Sequence, residues 1–201
     1  MVNGKAAVMI KTFLSFTLLL LAVIEKSDAQ SPGNRMIDTT KTIQNKNISF
    51  GLEQDFLPYA TGGYYFGMWA GKSHIRVRVL IARVHKPAII VPDGFTNNIV
   101  TAYALVGDYF FKENWTGWWM SGGMVYWNSS IQSNQMQSTT TYENVLLNGS
   151  IGYNWKFAKH FYLSPWAGLH IRVGGATQVM ADGSSFTTPV LNPEASLKIG
   201  W

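Results

Sequence analysis

The chain has 201 residues, enough for one ordinary domain. Hydrophobic residues make up 47% of it and charged residues only 13%, about half the charged share usual in a water-soluble domain. The net charge of +5 is scattered rather than clustered, which excludes a nucleic-acid-binding patch, and the absence of cysteine excludes disulfides, thiolate metal sites and thiol nucleophiles.

Residues 1–29 carry the pattern of a secretory signal peptide. Lys5 and Lys11 supply a positive start, Thr12 to Ile24 is an apolar run of 13 residues, and Ser27-Asp28-Ala29 gives small residues for cleavage before Gln30. Residues 30–45 are polar and aperiodic and are expected to form a periplasmic lead-in. No later stretch approaches the roughly 20 apolar residues of a spanning helix. From residue 46 to 201 the pattern predicts strands instead: β-branched and aromatic residues punctuated by Gly, Asn, Ser and Pro.

Eight strand segments are predicted, at 47–57, 63–70, 74–85, 98–111, 115–128, 142–156, 160–173 and 189–201. Alternation sorts their faces. In the first, Ser49, Gly51, Glu53 and Asp55 oppose Ile48, Phe50, Leu52 and Phe56. In the third, His74, Arg76 and Arg78 oppose Ile75, Val77, Val79 and Ile81. Segment 142–156 sets Asn144, Asn148, Ser150 and Asn154 against Val145, Leu147, Ile151, Tyr153 and Trp155. Segment 160–173 sets Tyr162, Ser164, Trp166, His170 and Arg172 against Phe161, Leu163, Ala167, Leu169, Ile171 and Val173. The last sets Glu194, Ser196 and Lys198 against Leu197, Ile199 and Trp201. Segments 98–111 and 115–128 carry apolar residues on both faces, so their orientation stays open.

The connections fall into two classes. Those at 71–73, 112–114 and 157–159 are tight, whereas three of the four on the opposite side, 86–97, 129–141 and 174–188, are long, the fourth being 58–62. Short turns at one end and long loops at the other, with an even strand count, are the asymmetry of a transmembrane barrel. The chain resembles the small outer-membrane β-barrel proteins of Gram-negative bacteria, particularly those of the Bacteroidota, through its signal peptide, this loop asymmetry and its final strand, ASLKIGW. That resemblance implies an all-β fold: an eight-stranded antiparallel up-and-down transmembrane β-barrel, located in the outer membrane and surrounded by its lipids. It also implies that Leu197, Ile199 and Trp201 form the C-terminal signal read by the barrel-assembly machinery, with Trp in place of the usual Phe.

An eight-stranded interior is just wide enough to fill with side chains, and charges there must pair. Glu53, Asp55 and Glu194 against Arg76, Arg78, Arg172 and Lys198, with His74 and His170, are therefore expected to form one lumen network that plugs the barrel. His74 and His170 fall at different depths, no spacing matches a metal site, and no cofactor is implied. The aromatics Tyr64, Tyr65, Phe66, Trp69, Tyr109, Phe110, Phe111, Trp115, Trp118, Trp119, Trp155 and Phe157 are expected in a girdle at the short-turn interface, and Tyr126, Trp127 and Tyr142 in an outer one.

The function this favours is anchoring and surface interaction, with an unidentified partner met by the loops. The apolar loop 86–97 (Pro87, Ile89, Ile90, Val91, Pro92, Phe95) is the most distinctive of them. Alternatives are a narrow channel, a soluble lipocalin-like barrel, or a lipid-modifying enzyme. For the enzyme, His85 and His170 would be candidate bases and Ser164, Ser184 and Ser185 candidate nucleophiles, although no motif places a His beside a Ser.

Overall fold

The structure, a computed structural model, describes residues 48–135 and 138–201. The predicted signal peptide and lead-in lie outside the described residues. The elements are β1 (Ser49–Asp55), α1 (Phe56–Ala60), β2 (Tyr64–Lys72), β3 (Ile75–His85), β4 (Phe95–Phe110), β5 (Gly117–Ser133), β6 (Thr139–Lys156), β7 (Tyr162–Gly175), β8 (Gln178–Ala181), β9 (Ser184–Thr187) and β10 (Leu191–Gly200). Eight of the strands close into an antiparallel barrel in the order β1-β10-β7-β6-β5-β4-β3-β2, while β8 and β9 form a separate hairpin. The strand count and up-and-down connectivity expected from the sequence are thus found.

Three differences change the picture of the loops. First, β1 stops at Asp55, because the Asp55 side chain accepts a hydrogen bond from Leu57 N and caps α1. Pro58 is tolerated in that first turn, where no intrahelical donor is required. Second, the predicted loop 129–141 is mostly strand: β5 and β6 run on to Ser133 and from Thr139, beyond the barrel. Third, the predicted loop 174–188 contains the β8–β9 hairpin, turned at Asp182 and Gly183, both with positive φ (49° and 79°). An Asp-Gly pair suits that geometry because its two-residue turn needs left-handed backbone at both positions. This hairpin packs on the extended β5–β6 ribbon around Ile131, Tyr142, Val179 and Phe186, a small apolar core of its own.

The wall alternates as the sequence implied, and the two ambiguous strands resolve. β4 turns Val100, Ala104, Val106, Asp108 and Phe110 inward, and β5 turns Trp119, Val125 and Trp127 inward. Outward stand Tyr103 and Tyr109 of β4, Trp118, Met120 and Met124 of β5, Leu147, Ile151 and Trp155 of β6, and Leu169, Ile171 and Val173 of β7. Phe50 is 76% exposed on this face. Charged strand residues lie in the lumen or at the rims, where Lys72 and Lys156 end strands at the short-turn side and Arg83 and Glu143 sit near the other.

Only part of the expected aromatic girdle is on that surface. Tyr109, Phe111, Trp118, Trp155 and Phe157 are exposed near the short turns, and Tyr64 and Phe66 are exposed at the opposite end, where β2 begins. Tyr65, Trp69, Phe110, Trp119, Trp127 and Tyr142 are buried instead. Within runs of adjacent aromatics, alternation sends every second ring indoors.

Candidate functional site

Arg76 and Arg78, two residues apart on β3, face the same way and are fully buried. Across the lumen they meet two carboxylates. Arg76 Nε donates to Asp108 Oδ2 at 2.8 Å and Nη2 to Glu53 Oε2 at 3.3 Å. Arg78 Nη1 donates to Glu53 Oε1 at 2.5 Å and Nη2 to Asp108 Oδ1 at 3.0 Å. Both guanidinium forks therefore span both acids, an arrangement that favours Arg over Lys because its planar donors match carboxylate geometry. Lys198 Nζ stands 3.5 Å from Glu53 Oε1, and Tyr162 Oη donates to Glu53 Oε2 at 2.8 Å while accepting from Arg76 Nη1 at 2.8 Å.

Aromatic rings enclose the cluster. The Arg76 guanidinium lies 5.2 Å from the Trp69 ring and 5.0 Å from Phe110, and Lys198 Nζ lies 4.5 Å over Trp166. Trp115, expected in the girdle, folds beneath the barrel. It meets Trp69 edge-on at 5.1 Å, and its Nε1 donates to Ser73 O. These rings narrow the short-turn end of the lumen, where a smaller pocket of about 290 Å³ borders Trp69, Trp115, Arg76 and Tyr162.

Of the residues expected in one network, only Glu53, Arg76, Arg78 and Lys198 share it. Asp108 is the member that the sequence reading missed: it lies on β4, whose two apolar faces hid its orientation. Asp55 makes no ion pair with these cations within 4 Å among the described residues; it caps α1 and accepts from Trp166 Nε1 at 2.8 Å and from Ser196 Oγ. His74 sits at the β2–β3 turn, stacked on outward-facing Tyr109 and 3.7 Å from Glu113, not in the lumen. Glu194 and His170 pair with each other at 3.0 Å nearer the loop end. Arg172 joins neither group, and its Nε is buried without a hydrogen-bond partner. Of the enzymatic candidates, Ser164 Oγ accepts from Trp119 Nε1 at 3.0 Å, and His170 reaches Glu194 and Asn148. Ser184 and Ser185 lie on β9, in the outer hairpin.

Above the ion cluster the lumen changes character. A cavity of about 390 Å³ occupies its loop-end half. Its walls are largely apolar (Leu80, Ala82, Val100, Ala102, Ala104, Val125), its floor includes Arg78 and Lys198, and Trp127, His170 and Glu194 border it. Lys86, just past the end of β3, lies at the rim of this space. Its Nζ is 3.4 Å from Asn192 Oδ1 and 4.7 Å over the Trp127 ring. Burial lowers the Lys86 pKa from the usual lysine value, opposed by the Glu194 carboxylate.

One stretch of wall is also incomplete. β1 meets β10 over a short ladder at the short-turn end: Leu52 exchanges both backbone hydrogen bonds with Trp201, followed by Glu53–Gly200, Gln54–Ile199 and Asp55–Lys198. From Leu191 to Leu197, β10 has a strand partner on one side only, β7, and α1 packs where further rungs of β1 would stand. The Arg172 N to Val190 O bond sets the phase of the β7–β10 ladder, so the Pro193 nitrogen faces the open side, where no strand requires a donor.

No protein-family model matches the chain, and no curated protein does. Among solved structures, the crystal structure of Neisserial surface protein A (NspA) is similar, with a TM-score of 0.48 and 9% identity over 76% of this chain and 92% of that one. The eight-stranded closure described above rests on this chain's own hydrogen bonds.

Proposed function

We propose that the chain is an integral outer-membrane β-barrel of a Gram-negative bacterium, closed to ion flow, that anchors the β8–β9 hairpin and the neighbouring loops at the membrane surface. The observation that carries this reading is the wall: a continuous apolar outer face, with charged side chains confined to lumen and rims. A soluble protein rarely exposes an apolar patch above a few hundred Å², whereas a membrane barrel requires an apolar band flanked by aromatics. The tight cluster of Glu53, Asp108, Arg76, Arg78 and Lys198, capped below by Trp69, Phe110 and Trp115, supports a sealed lumen over the narrow-channel alternative. Outward-facing Leu197, Ile199 and Trp201 are compatible with a C-terminal assembly signal.

Refolding into phosphatidylcholine vesicles tests the reading. The protein is expected to resist extraction by alkaline carbonate, to migrate differently on gels before and after heating, and to give no discrete conductance steps in planar bilayers. A folded monomer in plain buffer without lipid or detergent would overturn the membrane assignment, and steady single-channel steps would overturn the seal.

A further inference from the structure

The loop-end half of the lumen is at odds with the rest of the barrel. Interiors of membrane barrels are ordinarily polar, and those of eight strands are ordinarily filled by side chains. Here Ala82 stands opposite Ala102, and Leu80 opposite Ala104, on alternate rungs of β3 and β4 that share the inward face. These small apolar residues leave about 390 Å³ unfilled. Larger residues would close that space and add packing, so these alanines leave room at the expense of packing. The volume lies near the lower end of the range for small-molecule sites, roughly 300–1,000 Å³, which suits one alkyl chain and not a two-chain lipid.

The polar groups at the rim specify the head. Lys86 has no carboxylate within 4 Å among the described residues; its near neighbours are the Asn192 amide oxygen and the Trp127 ring. The acid at that level, Glu194, is held by His170. An ammonium at a buried edge whose two near contacts are neutral, and whose more distant carboxylate Glu194 is engaged by His170, favours an incoming anion. The seam beside β10 supplies the route. The cavity is bounded by Pro193 and Ala195 of the open edge and by Leu57 and Pro58 of α1, so it reaches the wall where the strand ladder is missing.

We propose that this cavity binds one single-chain amphiphile with an anionic head, its alkyl chain against Ala82, Ala102 and Ala104 and its head at Lys86. Only the route of entry, from the lipid through the β1–β10 seam, rests on the membrane reading given above.

The probe is laurate labelled with carbon-13 at the carboxyl, titrated into the full-length protein in phosphatidylcholine nanodiscs and followed by NMR. Empty nanodiscs give the signal of laurate dissolved in the bilayer. The native protein is expected to add a second carboxylate resonance that saturates at one equivalent. Ala104→Phe, which fills the cavity, removes that resonance while heat-dependent gel migration stays native; Ala82→Leu is the smaller substitution to use if the first does not fold. Lys86→Gln weakens laurate binding by about tenfold, the factor associated with losing one charge-assisted hydrogen bond, and leaves competition by neutral dodecanol unchanged. Spectra showing only bilayer-dissolved laurate, or a bound signal indifferent to the cavity-filling substitutions, overturn the proposal. Should the protein prove folded in plain buffer, the membrane reading falls separately and the same titration is run there.

Discussion

Asp108 and Glu194 are both lumen carboxylates, and their surroundings assign them unequal weight. Asp108 is fully buried and bridges two guanidinium groups at 2.8 and 3.0 Å. Removing its charge leaves Arg76 and Arg78 competing for Glu53 with no water to solvate the excess, and breaking such a buried pair costs about 3–5 kcal/mol. Glu194 is partly exposed and meets a single histidine, where the expected contribution is at most about 1 kcal/mol. Asp108→Asn should therefore lower the urea midpoint of unfolding strongly in vesicles, and Glu194→Gln should barely move it; equal shifts would show that the central cluster is not the keystone of the lumen. The same pair shows what was legible in the sequence. Glu53, Arg76, Arg78 and Lys198 were readable because each sits on a strand with one polar face. Asp108 was not, because its inward neighbours Val100, Ala104 and Val106 are as apolar as its outward ones. The available signal was the charge itself: a carboxylate inside a strand whose outer face is otherwise apolar must point indoors.

At the level of elements, the loop end is built from strands that the polar composition concealed. The β5–β6 ribbon is rich in Ser, Thr, Gln and Asn, yet it presents Ile131 and Tyr142 to Val179 and Phe186 of the hairpin. Asp182-Gly183, flanked by those two apolar residues, was the readable sign of a hairpin inside the supposed loop. α1 left a fainter trace, since Asp55 reads equally well as a lumen charge and as a cap. Because the hairpin's core is separate from the cluster of Val100, Val106, Val125 and Leu146 in the barrel, it should open independently. Phe186→Ala removes a fully buried ring, a change costing about 3–5 kcal/mol in a packed core, which a four-residue pair of strands cannot absorb. Hydrogen exchange is expected to accelerate across Gln178–Ala181 and Ser184–Thr187 and to remain slow in β3, β4 and β7. Acceleration throughout the barrel would mean that hairpin and barrel form a single cooperative unit.

For the molecule as a whole, the decisive question is which solvent meets the wall. Tight turns on one side, long connections on the other and strict alternation were all visible in the sequence, and they specify a closed sheet. They do not by themselves separate a membrane barrel from a soluble one. The apolar upper lumen was invisible, because Ala82, Ala102 and Ala104 announce neither core nor cavity until strand pairing sets them face to face. A single substitution distinguishes the solvents. Leu147 faces outward on β6, opposite Met124 and inside the apolar band, between Glu143 at one rim and Trp155 toward the other. In a bilayer, arginine at that depth should cost about 2–4 kcal/mol. In water, the same substitution on an exposed surface should fall within about 0.5 kcal/mol of neutral. Leu147→Arg, unfolded by urea from lipid vesicles, is expected to lose several-fold more stability than Asn128→Arg at the rim. Indifference at both positions would place the wall in water and remove the physical basis for a membrane role.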